Sequence, residues 1–323
     1  MKTLLLTITA IFILGACAGK QYFEPEETEK FNEKTSSIDS KIKSFNRSGA
    51  TLENGYYISS TGVSKNALPK EFEFINNSNG VIIATNNKDK ILLNDEIIEI
   101  NEVIVAASLE NENLALVFSN NTIAIYNTTE KKIVFKEYFK ESVANDTRIT
   151  NPLFMNNLVL FPTLDGKVIV VSKLENKSVK TIVVDPDSTF NNIIYLDVVG
   201  ETLIAATNNK VISVGTGALS VKDYEIREII TTKENIYIGT IDGQLIKLDF
   251  NLNEIASKKY KFAKFYALAY KDALYALESQ GYLIKIEEDF LKDTVYDFSF
   301  SSDSKAITVG DAIYFKDKLL RFK

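Results

Sequence analysis

The sequence predicts an all-β fold, a β-propeller of four-stranded antiparallel blades with seven blades, on three observations. A hairpin pattern recurs along the chain, its centres carry residues that tight turns require, and further strand-like runs flank most of the hairpins. A length of 323 residues suits one closed all-β domain, and 45% hydrophobic with 25% charged residues is ordinary globular composition.

The hairpins run Val81 to Leu93, Leu114 to Tyr126, Leu158 to Val171, Leu203 to Val214, Asn235 to Asp249, Ala273 to Ile286 and Ala312 to Phe322. Each pairs a β-rich run with a second one across a turn of Asn-Asn, Asp-Gly or Gln-Gly type, residues that tolerate positive φ. The turn centres fall near Asn87, Asn120, Asp165, Asn208, Asp242, Gln280 and Asp317, a mean spacing of about 38 residues. A strand candidate precedes most hairpins, as at Glu102 to Ala107, Ile193 to Val199, Arg227 to Thr232 and Phe262 to Ala269. Another follows most of them, as at Lys132 to Tyr138, Lys180 to Val184 and Thr294 to Phe298. Four strands per unit at this period is the pattern of a propeller blade. A β-sandwich predicts far fewer strands, and a β-helix repeats at a shorter length.

The last unit ends at Lys323 one strand short. A strand from the other end of the chain is expected to complete it and remove an open edge, with Asn54 to Ser60 as the candidate. Eight blades result instead if Gly49 to Ala67 begins a degenerate blade of its own.

Residues 1–16 read as a signal peptide: Lys2 precedes an apolar run from Leu4 to Leu14, too short to span a bilayer of about 30 Å. The run leads into Leu14-Gly15-Ala16-Cys17, which resembles a bacterial lipobox, and that resemblance implies cleavage before Cys17 and acylation of its thiol. Ordinary cleavage at a small-x-small site is the competing reading. By analogy with lipoprotein sorting, Ala18 after the cysteine implies the outer membrane, with the propeller facing the periplasm, and the cell surface as the alternative. Residues 17–48, acidic at Glu24, Glu26, Glu27 and Glu29 and poor in apolar residues, read as a flexible acylated tether. The propeller is then a single domain over residues 49–323.

Composition narrows the function. Histidine is absent, which removes Ser-His-Asp and Cys-His triads and imidazole metal sites. With Cys17 as the one cysteine, neither an intrachain disulfide nor a cysteine-based zinc site can form. A net charge of −6 offers no basic excess for nucleic acid.

The unit Gly239-Thr240-Ile241-Asp242-Gly243-Gln244-Leu245 resembles the repeat of quinoprotein-type propellers, a resemblance that covers roughly residues 71–323 and is sharpest in this hairpin. In those enzymes the cofactor sits between a tryptophan and a vicinal cysteine pair beside calcium. This chain has no tryptophan and no second cysteine, so neither cofactor nor metal is expected. Its glycines are expected to serve sheet packing at Gly239 and the turn at Gly243. A lipidated, cofactor-free propeller is similar to the BamB family of outer-membrane lipoproteins. That resemblance implies a non-catalytic scaffold, a monomer within a complex, whose partners are a barrel-assembly insertase subunit and unfolded outer-membrane proteins. The chain departs from that family in length, blade count and lack of tryptophan, so no partner-contacting residue is carried over.

Two rival classes stand beside it. A carboxylate-based enzyme would use channel residues such as Asp146, Asp197 and Glu228. An adhesive envelope lipoprotein, recognising glycan or a host protein, would use exposed aromatics such as Tyr260, Phe262, Phe265 and Tyr266.

Overall fold

Eight four-stranded blades form the ring in the computed structural model, which describes residues 21–142, 148–186 and 191–322. The seventh-blade count expected from the hairpins falls one short. The missed unit is blade 1, built from β3 (Ile42–Asn46), β4 (Gly49–Leu52), β5 (Tyr57–Ser59) and β6 (Gly62–Val63). Asn54 to Ser60 therefore lies within a blade of its own and does not complete the last one. Its strands are too short to repeat the pattern of the others, and its turn at Gly55 carries a φ of 87°.

Blades 2 to 7 span residues 73–99, 104–138, 153–183, 195–223, 226–259 and 265–297. Blade 8 supplies three strands over residues 306–321, and its fourth comes from the N-terminal side. Two segments upstream of blade 1 pair with the last two blades. β1 (Glu29–Lys30) adds a fifth, parallel strand to the outer edge of blade 7, with Glu29 opposite Tyr296. β2 (Ser36–Ser37) pairs antiparallel with the last strand of blade 8, Ser36 opposite Leu319, and Ile38 N–H donates to Asp317 O at 2.9 Å. The segment expected to be a free tether is thus largely built into the ring. Its few apolar residues account for this: Phe23, Ile38 and Ile42 are all buried.

Packing follows the seams. Seven hydrophobic clusters each join two neighbouring blades, as Ile226, Ile236, Ile246 and Leu248 of blade 6 meet Ile204 and Val211 of blade 5. At the remaining seam Tyr57 of blade 1 stacks on Phe74 of blade 2, 5.3 Å between centroids. Each fully buried large side chain contributes about 1.5–3 kcal/mol, so the seams dominate the stability of the ring. Gly239 serves its seam as expected: a Cβ there would stand 3.0 Å from the Phe265 ring of blade 7.

The repeated threonine closes turns. Thr85, Thr163, Thr207 and Thr240 end the second strands of their blades or follow them directly, and each hydroxyl accepts a backbone N–H from the turn beyond. For Thr240 that donor is Gln244 N, at 2.8 Å. Gly243 supplies the positive φ, 86°, and sits so close to Tyr260 O that a Cβ would fall at 2.2 Å. The likeness of this hairpin to cofactor-binding repeats thus has a mechanical basis.

Candidate functional site in the central channel

The innermost strands of the blades stand side by side around a channel, with Asn76 Nδ2 donating to Ala107 O across blades 2 and 3 at 3.0 Å. In blades 1, 2, 3, 6 and 7 the register shifts by one residue near the start of this strand, at Lys43, Ile75, Val105, Arg227 and Tyr266. Such bulges bend the strand and re-aim side chains. Arg227 uses its bulge to place its guanidinium 5.3 Å from the Tyr266 ring centroid. A cavity of about 630 Å³ opens within the channel, lined from blade 1 by Arg47, from blade 5 by Tyr195 and Asp197, and from blades 6 to 8.

One end of this cavity is bridged across the ring. The turn after β3 carries Asn46-Arg47-Ser48, and Arg47 reaches blade 5, four blades away, where its Nε donates to Ile194 O at 2.8 Å. Its Nη1 donates to Glu228 Oε2 of blade 6 at 2.9 Å, and its guanidinium lies 5.8 Å from the Tyr195 ring centroid. Arg148 approaches the same carboxylate, Nη1 to Oε1 at 3.5 Å, and also donates to Asn208 Oδ1 and Arg227 O. These three side chains are only 17%, 13% and 12% exposed for Arg47, Glu228 and Arg148, so two largely desolvated cations share this carboxylate. Arg47 Nη2 is buried without a partner among the described residues, a cost of order 1–3 kcal/mol that the neighbouring bonds must offset. Asn151 ties the same turn to blades 2 and 3: Nδ2 donates to Ser48 Oγ (2.8 Å) and Ile75 O (3.3 Å), and Oδ1 accepts from Ala107 N (2.9 Å).

Asp197 belongs to a second network on the channel wall. Thr231 donates its hydroxyl to Asp197 Oδ2 and its N–H to Tyr195 Oη at 3.0 Å. Burial, then the Asp197 charge, holds the Tyr195 phenol well above its ordinary range, so it stays neutral as a hydrogen-bonding strut. Of the proposed channel carboxylates, Asp197 and Glu228 thus do line one cavity, but each is committed to its own partners. Asp146 lies outside the described residues, as do Cys17 and the lipobox residues Leu14, Gly15 and Ala16. Among the described residues no group of three or more His, Cys, Asp or Glu is placed to hold a metal ion.

The proposed aromatic patch is not an exposed one. Tyr260 and Phe265 are buried in the seam between blades 6 and 7, and Tyr260 Oη donates to Asp293 Oδ2 at 2.7 Å. Phe262 and Tyr266 are half-buried, Tyr266 donating to Ser302 O at 3.0 Å. Sequence reasoning missed Arg47 because it falls in the presumed tether, although Asn46-Arg47-Ser48-Gly49 between β-rich runs is itself a turn signal.

No protein-family model matches the chain, so the quinoprotein-type repeat has no support beyond the hairpin likeness. The chain is 27% identical to plasminogen-binding protein PgbB of Helicobacter pylori strain ATCC 700392 / 26695, over 99% of this chain and 67% of that protein. PgbB of strain J99 / ATCC 700824 is also 27% identical, over 99% and 68% respectively. In fold the chain is similar to BamB from Moraxella catarrhalis (TM-score 0.68, 13% identity, 90% of this chain and 99% of that one). It is also similar to the C-terminal WD40 domain of Sif2 (TM-score 0.64, 11% identity, 91% and 100%). At those identities the structures speak for the fold alone, a BamB-like propeller.

Proposed function

We propose that this chain is a non-catalytic, protein-binding propeller lipoprotein of the bacterial envelope, acylated at Cys17, held in the outer membrane, and able to bind plasminogen or a similar host protein. The observation that supports the partner is the 27% identity to PgbB along 99% of the chain, which is likeness in residues and not only in fold. The channel fits a platform better than a catalyst: its most enclosed charges, Arg47, Arg148 and Glu228, are spent on one another as a brace across the ring. No cofactor and no metal takes part in this reading.

The test is biolayer interferometry of soluble protein beginning at Ala18 against immobilised plasminogen, with albumin as control. Saturable binding at micromolar concentration or tighter is expected. Signal no greater than on albumin sinks the plasminogen reading.

A second reading is assembly of outer-membrane proteins through a barrel-assembly insertase subunit, favoured by the match of the chain to almost the whole of BamB. Its check is recovery of that subunit when the acylated protein is purified from envelopes in mild detergent. The two readings share the lipid anchor and differ in the partner recovered.

A further inference from the structure

Chain that carries a lipid at its end normally lets the folded body swing, and thirty residues of coil would allow a span of roughly 30 Å. The segment following Cys17 has no such freedom once it reaches Phe23. That ring is buried at the seam of blades 6 and 7, edge-on to Tyr260 at 5.8 Å and to Tyr282 at 5.6 Å. Six residues later β1 pairs with the outer edge of blade 7, and Phe31 packs edge-on against Tyr296 and Phe298, each at 5.3 Å. β2 then completes blade 8. The N-terminal segment is therefore a strap across two blades, fixed at three successive points.

We infer that this strap presents one defined edge of the propeller, the rim of blades 6 and 7 around Phe23, to the surface of the lipid bilayer. The inference rests on the acylation of Cys17 proposed above. Six steps of chain separate Cys17 from Phe23, and even fully extended they reach about 20 Å. Acyl chains in the bilayer thus hold Phe23 within that distance of the surface. A turn of this rim is that of Asp242-Gly243, whose backbone lies against that of Tyr260, and it carries Ile241, 56% exposed. The occupant of this edge is lipid because of chain length and not because of charge. Lys259 is paired with Asp242, Lys261 is exposed, and Glu24 and Glu27 on the strap are exposed as well, so the rim is no basic patch. The orientation is accordingly expected to be the same on zwitterionic and anionic vesicles and at low and high salt.

Because the acylated Cys17 leaves no free thiol, single cysteines can be labelled elsewhere in the full acylated protein. A fluorophore on Ile241→Cys reports the proposed edge. One on Glu130→Cys reports blade 3, three blades round the ring from blade 6. Both proteins are reconstituted on phosphatidylcholine vesicles, and on vesicles with added phosphatidylglycerol, that carry a headgroup spin label. Quenching at position 241 is expected to exceed that at 130 by about threefold or more, as a reach of about 20 Å requires. In a Phe23→Ala, Phe31→Ala background whose cooperative melting shows an intact ring, the two positions are expected to converge while flotation with vesicles persists. Equal quenching in the parent protein, with flotation retained, would falsify the fixed edge and leave the anchor standing. A difference that survives the double substitution overturns the strap as its cause. A parent protein that does not float with vesicles overturns the anchor, and this inference with it.

Discussion

At the scale of single residues, Glu228 and Gly243 carry more than their neighbours, for opposite reasons. Glu228 pairs with both Arg47 and Arg148, and removing it takes from the largely buried Arg47 guanidinium the carboxylate that it donates to. Breaking a buried pair from one side costs about 3 kcal/mol or more, because the stranded charge keeps its desolvation penalty. Glu228→Ala is therefore expected to lower stability by about that amount in urea titrations, while Arg47→Met, which removes a cation together with its orphaned Nη2, should cost much less. Equal losses in the two variants would refute the stranded-charge argument. Gly243 is limited by space and by backbone conformation together, with a φ of 86° and backbone atoms 2.2 Å from any added Cβ. Gly80 has a similar φ of 88° but nothing within 4 Å. Gly80→Ala should cost about 1 kcal/mol, the penalty of the left-handed region alone. Gly243→Ala should cost at least about 2 kcal/mol more, since the neighbouring backbone at Tyr260 and Ala263 must move. The same urea midpoints decide it.

At the scale of elements, ring closure depends on strands of two residues. β2 offers Ser36 and Ser37 to blade 8, and what holds it in place is Ile38, buried in the cluster shared by blades 8 and 1. Ile38→Asp should therefore loosen the closure and cost about 3 kcal/mol, visible as faster hydrogen exchange at Lys318 to Arg321 before exchange at blade 4. Uniform acceleration across all blades would mean that closure is not local to β2. These elements also mark where the sequence stopped being legible. Blades 2 to 8 announced themselves through turn chemistry, with Asn87, Asn121, Gly166, Gly243 and Gly281 at positive φ and a threonine capping the turns of blades 2, 4, 5 and 6. β1 and β2 have no period to detect, being too short for alternation and made of exposed Glu, Lys and Ser. Blade 1 hides its period because its strands shrink to two to five residues. Of the channel, Asp197 and Glu228 were legible as inner-strand carboxylates. Their partners Arg47, Arg148 and Thr231 lie 181, 80 and 34 residues away in sequence, and only closure of the ring brings them together.

At the scale of the whole molecule, the titrating groups set the pH range over which the ring holds. With no histidine in the chain, no side chain of ordinary pKa changes charge between about pH 5 and 8, and stability should be flat there. On the acid side, Asp242 is held below the usual carboxylate range by its hydrogen bond from Lys259, with Thr240 assisting. At Asp165 and Asp293 burial works in the opposite direction, but hydrogen bonds from Lys167 and from Lys258 with Tyr260 outweigh it, and both carboxyls are lowered. A carboxyl whose folded pKa is depressed stabilises the fold at pH values above its unfolded pKa, about 3.9. That contribution is lost as pH falls through the folded value. Stability should therefore decline below about pH 4. On the alkaline side the sign reverses. Burial pushes Tyr275 up to about 12 and holds Tyr237 and Tyr260 well above the ordinary phenol range. Their contribution is complete below the unfolded value of about 10 and is lost as pH rises beyond it. Urea midpoints measured from pH 3 to 11 should thus trace a plateau with two shoulders, one below about pH 4 and one above about pH 10. The seam of blades 6 and 7 contributes to both, since Asp293 anchors the acid side and Tyr260 the alkaline side of one hydrogen bond. Replacing Asp293 with Asn should shrink the acid shoulder and leave the plateau between pH 5 and 8 level but lower. A step within that plateau would mean that a group other than these governs the ring.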